Sequence, residues 1–443
     1  MRRVGRCLWQ VAARCLFLCG ITLLRGAGAG AAAGVGAAVV GWRCCNNYCW
    51  LPVLLSWGFF CPSVLEGVGK LFQNTLVVRP SFSKTSSSPS LFLFKMKFLV
   101  SASMLASAAA LETTYVGTEF HKIADIVNNA SPGWVANADA AAMFNSTDDV
   151  KNLCGTYLKD HPDYQRLPSA EEVFGEDYNV LAAEDLPTDF DSRTQWDKCT
   201  VISKIRDQSS CGSCWAFGST ETFEDRQCVA TGKDIEFSAE DTAACCSGFL
   251  CGMSAGCNGG QPSSALDWMT RAGVVTGGDY TDIGSGTTCK PYTLAPCAHH
   301  VPPSAKYPAC PSSEYPTPQC KKSCSEDKYT TSYSDDKHKA SKAYSIDGVD
   351  KIMSDLVQNG PVSCAFTVYS DFPTYKSGVY KHTTGEMLGG HAVEIIGFGV
   401  EDGTDYWLVK NSWNEEWGDN GTFKIVRGTN ECGIEDDVSA VSF

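Results

Sequence analysis

The cysteine at position 214 lies in the segment 208–217, whose sequence is Gln-Ser-Ser-Cys-Gly-Ser-Cys-Trp-Ala-Phe. A thiol attacks a carbonyl carbon only as the thiolate, and its free pKa of about 8.5 is lowered by a helix N-terminus or a protonated histidine. A Gly-Ser pair before the thiol suits a turn, and residues 215–228 contain no Pro and one Gly. A helix that begins at Cys214 is therefore predicted, with its positive end at the thiol. The alternative is that Cys211 and Cys214 form a Cys-x-x-Cys redox pair or half of a zinc site.

A histidine and an asparagine follow downstream in a pattern typical of a hairpin. Residues 389–398 begin Gly-Gly-His and continue as an apolar, strand-like run, and residues 406–413 form a second run after the turn at 401–404. His391 and Asn411 would then lie on neighbouring strands. The order Cys, His, Asn supplies what a thiol protease needs, because a base must lie beside the nucleophile and a third group must orient the imidazole.

From Leu186 to its end the sequence resembles the papain-family cysteine proteases, and in detail those of the cathepsin B type. Cys-Gly-Ser-Cys-Trp is the local signature of that family around its nucleophile. The resemblance implies an α+β, papain-like, two-lobed and disulfide-rich catalytic domain over residues 186–443. A helical left lobe would carry the cysteine, a β-barrel or sheet-rich right lobe would carry the histidine, and the active-site cleft would lie between them.

The same resemblance assigns roles to matching positions. Cys214 would be the nucleophile, His391 the base and later the acid, and Asn411 the residue that orients the His391 ring. Gln208 would donate its side-chain N–H to the oxyanion, beside the backbone N–H of Cys214; losing one such donor typically lowers kcat by about 10²–10³. Trp413 would shield the contact between His391 and Asn411 and line the substrate site.

The interval between the nucleophile and the base points to an insertion. His391 follows Cys214 after 391 − 214 = 177 residues, whereas the interval in papain and the cathepsins is about 130–150, so about 30 residues are extra. The candidate is the Pro-rich loop 296–310, which contains Cys297 and Cys310. It resembles the occluding loop of cathepsin B, in which paired histidines bind the C-terminal carboxylate of the substrate.

His299 and His300 would take that role here, since imidazoles are positively charged at acidic pH and bind carboxylates. The enzyme would then remove dipeptides from C termini. The resemblance also places His299 against Asp207, which would hold the loop closed. The family's second closing contact of the loop, between an Arg and an Asp, corresponds here to Lys306 and Glu416, a looser pair of point charges. We therefore expect a loop that opens readily and an enlarged endopeptidase share. The alternative is a zinc site formed by the two histidines and two cysteines of the loop, although Cys-x-His-His lacks the usual ligand spacing.

The chain contains 23 cysteines, which favours an oxidising compartment. Sequence alone does not give disulfide connectivity. The resemblance to cathepsin B implies six bridges, and because Cys211 belongs to one of them, the redox alternative is removed. Of the 15 cysteines from Cys199 onward, these bridges use 12 and leave three unpaired: the nucleophile Cys214, Cys364 and Cys432. The implied bridges are Cys199–Cys228, Cys211–Cys257, Cys245–Cys320, Cys246–Cys251, Cys289–Cys324 and Cys297–Cys310.

The resemblance also predicts substrate pockets. Gly259 and Gly260 match a glycine-rich wall on which substrate backbone pairs in extended form, and glycine permits that close approach. Asp437 matches the acid that lets cathepsin B accept Arg at the second residue before the scissile bond (P2, bound in pocket S2), but it is one methylene shorter. The alternative is that Asp437 is merely a solvated acid near a chain end. Cys364 stands where the family has Gly and would narrow S2.

Ser209 departs from the family pattern, which has Gly at this position. If the backbone there needs a positive φ, Ser209 would strain the turn that holds Gln208 and weaken the oxyanion hole. Replacing Ser209 by Gly would then raise kcat.

The part of the chain directly before Leu186 resembles an inhibitory propeptide. It spans residues 111–185, and Trp134, Phe144 and the Leu-Cys-Gly-Thr sequence at 153–156 recur at the spacing found in cathepsin B. Such a propeptide occupies the cleft until acid loosens it, which keeps the protease inactive in transit. Cleavage near Leu186 would release the mature domain.

The first part of the chain resembles neither propeptide nor domain. Residues 96–110 have the basic start, apolar stretch and small-residue end of a secretory signal peptide. We expect Met96 to be the natural start and residues 1–95 to be a gene-model or upstream-translation artefact. The alternatives are a signal at residues 1–25 or a membrane anchor at 50–65, although that run is shorter than the roughly 20 residues of a spanning helix.

The chain carries 36 basic and 50 acidic residues, a net charge of −14, and such an acidic surface is unsuited to nucleic acid. The expected partners of this predicted monomer are peptide and protein substrates, its own propeptide and, by resemblance, cystatin-type inhibitors, with no cofactor and no metal. The expected location is the secretory pathway, ending in a lysosome, a vacuole or the extracellular space. The rival from another class is a catalytically inactive, disulfide-rich binding protein on the same scaffold. Such relatives typically lose the nucleophile, which this chain keeps.

Overall fold

The computed structural model describes residues 118–139, 144–311 and 313–443. All of them belong to one structural unit, which spans Lys95–Phe443. The expectations for residues 1–95 and 96–110 lie outside the described residues. Within the described ranges, none of the helices has the length and apolar character needed to cross a membrane.

Most helices of the described residues precede most strands, which gives one helix-rich and one sheet-rich half. The helices are α1 (Thr118–Ala130), α2 (Thr147–Lys151), α3 (Ala170–Phe174), α4 (Ser192–Gln195), α5 (Cys214–Thr231), α6 (Ala239–Cys245), α7 (Pro262–Arg271) and α8 (Val349–Asn359). The strands are β1 (Trp134–Ala136), β2 (Phe190–Asp191), β3 (Lys342–Ser345), β4 (Val362–Tyr369), β5 (Tyr375–Tyr380), β6 (Met387–Glu401), β7 (Thr404–Lys410), β8 (Thr422–Val426) and β9 (Val438–Ser442).

The described strands form one sheet in the order β1-β5-β8-β7-β6-β4-β9-β3, with β2 added along β6. Neighbouring strands are antiparallel except for β5 and β8. The two ends of this order are different strands, so the sheet is open. The expected α+β fold with a sheet-rich right lobe is therefore confirmed, and that lobe is an open sheet rather than a closed barrel.

Helix α5 begins at Cys214, as predicted. It ends at Thr231, and the next residue, Gly232, has a φ of 70°, in the left-handed region that glycine adopts freely. Its residues from 214 to 228 are all buried, because α6 and α7 cover it on one side and β6 and β9 on the other. The helix is thus the shared core element of the two lobes, and the thiol lies at its positive end.

The predicted hairpin is also present. Strands β6 and β7 pair in antiparallel register, and the chain reverses at Asp402 and Gly403, which have φ angles of 49° and 79°. His391 lies in β6, and Asn411 directly follows β7. The hairpin therefore brings the two residues to neighbouring positions at one side of α5.

A buried group of charged side chains fixes this hairpin on α5. The ammonium of Lys410 lies 3.1 Å from Asp225 on the helix and 2.7 Å from Glu394 on β6, and all three side chains are fully buried. Burial raises the pKa of Glu394, of Asp225 and of the neighbouring Glu221 above their usual values. Lys410 is thus the cation that joins acids from both lobes, one residue before Asn411 and paired across the hairpin with Glu394.

Residues 118–139 and 144–185, called the leading segment below, pack against the sheet-rich half and then cross the molecule. Strand β1 pairs with β5, and the Trp134 ring stacks on Tyr375 with ring centroids 6.1 Å apart. Further along, Ser169 pairs with Ser345 of β3. Phe120, Trp134 and Phe144 are buried in the same core cluster as the sheet, so the leading segment folds as part of the domain.

We expect Lys410→Met to destabilise the protein by about 3–5 kcal/mol, because it leaves buried carboxylates without their cation. The control is Lys424→Met, which removes a cation that pairs with Glu401 at a partly exposed site and should cost at most about 1 kcal/mol. The free energies of unfolding of the full chain and both variants would be compared by urea denaturation. A loss in Lys410→Met no greater than in the control would contradict this role.

Candidate active site

His391 and Asn411 are joined in a buried contact. The Nε2 atom of His391 lies 2.8 Å from the Asn411 side-chain oxygen, and both residues are fully buried. The ring of Trp413 packs on His391 with centroids 4.8 Å apart, so it covers this contact as expected. The other ring nitrogen, Nδ1, has no hydrogen-bond partner among the described residues. It is therefore the nitrogen available to the thiol.

The thiol of Cys214 lies in surroundings that favour the thiolate. Burial alone raises its pKa, but the positive charge of the nearby His391 ring and the hydrogen bond of Thr156 act in the opposite direction and outweigh it. The net pKa of Cys214 is lowered. The Thr156 hydroxyl lies 3.1 Å from the Cys214 sulfur. The arrangement suits nucleophilic attack, and a hydroxyl of the leading segment covers the nucleophile.

The side-chain amide of Gln208, which the sequence analysis predicted as an oxyanion donor, is hydrogen-bonded to two backbone carbonyls. Its Nε2 donates to the carbonyl oxygens of Leu153, at 3.0 Å, and Cys211, at 2.8 Å. The hydroxyl of Ser412 donates to the Gln208 side-chain oxygen at 2.9 Å and so fixes the direction of the amide. A peptide carbonyl of the leading segment thus occupies the amide that the sequence analysis predicted as an oxyanion donor.

The leading segment runs through the cleft as an extended strand. Gly260 donates its backbone N–H to Gly155 at 2.8 Å and accepts from Tyr157 at 3.0 Å, while Thr156 donates to Gly390 on the opposite wall at 3.0 Å. A Cβ on Gly260 would lie 2.5 Å from the ring of Trp215, so only glycine fits between the ring and the bound strand. Gly260 therefore pairs with the leading segment through its backbone, and the substrate-binding role of Gly259 and Gly260 stays a prediction.

The loop histidines face the other end of the cleft. His299 and His300 are 5% and 3% exposed, and the ring of Phe144, from the leading segment, packs on both at 5.5 and 5.6 Å. Phe144 also meets the edge of Trp413 at 5.4 Å. His299 Nε2 lies 3.7 Å from Asp207, which is the contact that the sequence predicted.

The environment of His300 opposes its protonation. Burial lowers its pKa well below the usual value, and the neighbouring charge of His299 lowers it further, against a smaller contribution from Asn414. Cys297 and Cys310 form a disulfide across the base of the loop. Two of the four ligands required by the zinc alternative are therefore already bonded to each other.

Five further disulfides join the pairs implied by the resemblance, so all six implied bridges are present. Cys211 bonds to Cys257, which leaves Cys214 without a Cys-x-x-Cys partner. The described cysteines outside disulfides are Cys154, Cys214, Cys364 and Cys432. Burial raises the pKa of Cys154, Cys364 and Cys432, so Cys214 differs from the other three in its lowered pKa.

The expected pair between Lys306 and Glu416 is wrong. Lys306 instead forms an ion pair with Glu415, and the Tyr307 hydroxyl donates to the same carboxylate at 2.8 Å. The reason is the turn at Asn414, whose φ is 64° and whose side chain accepts the Glu416 backbone N–H at 3.0 Å. This turn leaves Glu415 as the acid that faces the loop.

Asp437 is buried rather than solvated. It is 8% exposed and accepts a hydrogen bond of 2.9 Å from Tyr164 of the leading segment. Burial raises its pKa to about 6. The Cys364 thiol is buried on β4, opposite Val438 of β9, and Asp437 contributes to raising its pKa. The reading of Asp437 as an ordinary solvated acid is therefore wrong.

Sequence reasoning missed Thr156, Ser412 and Glu314 as residues of this site. Glu314 lies after the loop, and its carboxylate accepts the backbone N–H of Gly212 at 2.8 Å, which holds the turn before the nucleophile. An isolated acid in a Pro-rich segment carries no periodic signal, and the hydroxyl contacts depend on which segments meet in the folded chain. Ser412, next to Asn411, was the easiest of the three to suspect.

Comparison with known proteins agrees with this geometry. The family model "Papain family cysteine protease" matches residues 186–442. Cathepsin B-like cysteine proteinase 4 of Caenorhabditis elegans is 43% identical over 346 residues, covering 77% of this chain and 97% of the relative. A cathepsin B-like cysteine proteinase of Schistosoma japonicum is 44% identical over 322 residues, covering 72% and 89%.

Solved precursor structures also resemble this one. The procathepsin B S9 of Trypanosoma congolense shares 30% identity with a TM-score of 0.58, covering 72% of this chain and 97% of that one. Procathepsin L 3 of Tenebrio molitor, at 21% identity and a TM-score of 0.51, shares the fold. The chain belongs to the papain family of cysteine proteases. Within that family its relatives are the cathepsin B-like proteinases, and the protein is a cysteine-type peptidase with the architecture of a precursor.

Ser209 has the strained backbone that the sequence analysis considered. Its φ is 58°, and its hydroxyl donates to the backbone carbonyl of Ala295 at the start of the loop. Holding a non-glycine residue in this region costs about 1–2 kcal/mol. The side chain therefore strains the turn and at the same time ties it to the loop.

We expect Ser209→Gly to have a higher kcat than Ser209→Ala, by up to about fivefold for about 1 kcal/mol of strain relieved. Both variants lose the bond to Ala295, and only the glycine variant loses the Cβ, so the pair isolates the backbone effect. The measurement is kcat of the processed enzymes on one peptide, normalised to titrated thiol. Equal values in the two variants would show that the turn accepts a side chain without cost to the oxyanion donor.

Proposed function

We propose that the chain is the zymogen of an acid-activated protease that has endopeptidase activity and also removes dipeptides from C termini. The observation that carries the proposal is the position of Phe144, whose ring touches His299, His300 and Trp413, while Trp413 packs on His391. One aromatic ring thus spans the distance from the loop histidines to the neighbour of the catalytic base. A short substrate end fits the same space once Phe144 leaves.

The catalytic steps follow from the positions of the side chains. His391 Nδ1 takes the thiol proton, Asn411 holds the ring through Nε2, and the Cys214 thiolate attacks the substrate carbonyl. The Gln208 amide and the backbone N–H of Cys214 stabilise the oxyanion. His391 then protonates the leaving amine, and a water molecule, deprotonated by His391, hydrolyses the thioester to regenerate the thiol.

The exopeptidase component rests on the loop. Two imidazoles on a disulfide-closed loop bind the free carboxylate of a substrate as charge-assisted donors when protonated. The loop limits the cleft beyond them, so the bound end is short. A substrate without that carboxylate leaves the histidines unpaired and is cleaved as an endopeptidase substrate.

The leading segment fits the role of the propeptide expected at residues 111–185. It places the Leu153 carbonyl on Gln208, the Thr156 hydroxyl on Cys214, and backbone bonds on Gly260 and Gly390. Most residues of the stretch 179–185 are exposed, which supports cleavage near Leu186. The domain division at residue 186 is part of this proposal.

Acid favours release of the leading segment through His300. Its pKa in the closed state is well below the usual value of about 6.5, so the closed state binds fewer protons than the open state. The stability of the closed state is therefore complete above about pH 6.5 and falls as the pH drops below that value. His300 thus couples acidification to opening of the cleft.

Six disulfides suit a protein of the secretory pathway, and residues 96–110 supply a signal-like sequence. We therefore assign the protein to that pathway, with a lysosome, vacuole or the extracellular space as its destination. Its partners would be protein and peptide substrates and its own propeptide. Cystatin-type inhibitors and a monomeric state are proposed by family resemblance.

The exopeptidase role predicts a strong preference for a free C terminus. Two peptides identical except for amidation of the terminal carboxyl would be cleaved by the processed enzyme, with dipeptide release measured by mass spectrometry. We expect kcat/KM to be at least about tenfold higher for the free acid, because amidation removes charge-assisted bonds to His299 and His300. Alanine variants of both histidines should lose this preference. Indifference of the wild-type enzyme to amidation would contradict the role of the loop.

Asp437 predicts a pH-dependent choice at the P2 residue. With the leading segment in place its pKa is about 6, and we expect a substrate that fills S2 to bury the carboxyl in the same way. It would then be mainly neutral near pH 5 and mainly charged near pH 7, so the charged fraction rises about tenfold over this range. The ratio of kcat/KM for Arg over Phe at P2 should rise by up to that factor, with Phe preferred overall because Asp is shorter than Glu. Asp437→Asn is the control and should give a flat ratio. A flat wild-type ratio would exclude Asp437 from S2.

A further inference from the structure

The loop 296–310 is held to the rest of the domain by Tyr307. Tyr307 is 3% exposed, and its hydroxyl donates to Glu415 at 2.8 Å. Lys306 binds the same carboxylate, but the Lys306 and Glu415 side chains are about half exposed. An exposed ion pair contributes little because solvent screens it, whereas a hydrogen bond from a buried group to a charged acceptor is among the stronger kinds. The phenol is therefore the principal contact.

The contact is linked to the histidines through a short path of backbone bonds. Ser304 donates its backbone N–H to the Tyr307 carbonyl at 2.7 Å, and the Tyr307 N–H donates to the Ser304 hydroxyl at 3.0 Å. The carbonyl of Pro308, the next residue, accepts the N–H of Ala298 at 2.8 Å. Ala298 directly precedes His299. Fixing Tyr307 therefore fixes the position from which the two histidines project.

The same segment of the domain supports the loop at a second point. Asn414, the neighbour of Glu415, donates its side-chain N–H to Asp207 at 3.0 Å. The other oxygen of Asp207 lies 3.7 Å from His299 Nε2. Residues 414 and 415 thus anchor both the phenol side and the histidine side of the loop.

We propose that Tyr307 is a positioning residue for exopeptidase action. Its bond to Glu415 keeps the loop closed and holds His299 and His300 over the end of the cleft. The inference rests on the dipeptidase function proposed above and identifies the residue that controls the balance between the two activities. It reverses the expectation, drawn from Lys306 alone, of a loop that opens readily.

The bond between Tyr307 and Glu415, called the latch below, does not depend on the charge of the histidines. The charged groups that face Tyr307 are Glu415, Asp207, Glu416 and Lys306. Burial and the Glu415 carboxylate raise the pKa of Tyr307, so the phenol keeps its proton. Burial raises the pKa of Glu415, but the bonds from Lys306 and Tyr307 outweigh this, so the Glu415 pKa is lowered and the acid stays charged. The contact of His299 with Asp207, by contrast, becomes an ion pair only when the imidazole is protonated.

The test compares the processed wild-type enzyme with Tyr307→Phe, which removes only the hydroxyl, and with Lys306→Met. The second variant removes the exposed ion pair and the contact of the ammonium with the Tyr307 ring, 5.1 Å from its centroid, but keeps the phenol. Each is assayed on the free-acid and amidated peptides, normalised to thiol titrated with an epoxide inhibitor. Hydrogen exchange of residues 297–310 is followed by mass spectrometry under the same conditions. In Tyr307→Phe we expect exchange of the loop to rise and the free-acid preference to fall about tenfold. The fall should come from a higher KM for the free acid at unchanged kcat.

Lys306→Met should change the preference and the exchange by less than about twofold. Tyr307→Phe with wild-type exchange and wild-type preference would overturn the latch. Faster exchange with an unchanged preference would overturn the positioning role. A wild-type enzyme indifferent to amidation would overturn the proposed dipeptidase function instead, and the exchange of Tyr307→Phe would still decide whether the latch exists.

Discussion

The ion pairs of Lys410 are the constraint on which the site depends. One cation joins Asp225 of the helix to Glu394 of the hairpin with no exposure to solvent. The Cys214 thiol is at the start of that helix, and His391, the proposed base, is three residues from Glu394. The pairs therefore fix the two halves of the proposed catalytic site relative to each other. Buried ions are costly to leave unpaired. The lobes therefore have one strongly preferred arrangement, and it is the one that places His391 beside Cys214.

In the proposed zymogen, the leading segment blocks the site through the contacts that we assign to a substrate. The Leu153 carbonyl accepts from the Gln208 amide, and the Thr156 hydroxyl contacts the Cys214 thiol. Backbone hydrogen bonds join the segment to Gly260 on one side of the cleft and to Gly390 on the other. Phe144 covers the loop histidines in the same way. Inhibition therefore needs no distortion of the catalytic residues, and removal of the segment is sufficient to expose them. Because burial lowers the pKa of His300, protonation in acid opposes the covered state, which is the basis of the proposed activation.

Local patterns were sufficient to predict the elements that carry the chemistry. The helix at Cys214 followed from an uninterrupted helical stretch after a turn, and the hairpin of His391 and Asn411 followed from two apolar runs around a glycine turn. The partners of side chains from distant segments could not be predicted. Lys306 was paired with the wrong acid because the turn at Asn414 depends on a left-handed backbone. The burial of Asp437 could not be predicted either, because Tyr164, 273 residues earlier, covers it only in the folded chain.

The most direct test of the account is the reactivity of Cys214 before and after processing. The full chain would be treated with a thiol-directed epoxide at neutral pH, and again after incubation in acid, and the modified residues would be located by mass spectrometry. The account predicts that Cys214 is unlabelled in the intact precursor and labelled in the processed protein, where Cys364 and Cys432 remain unlabelled. A processed protein that remains unlabelled at Cys214, or a precursor labelled as fast as the processed form, would contradict it.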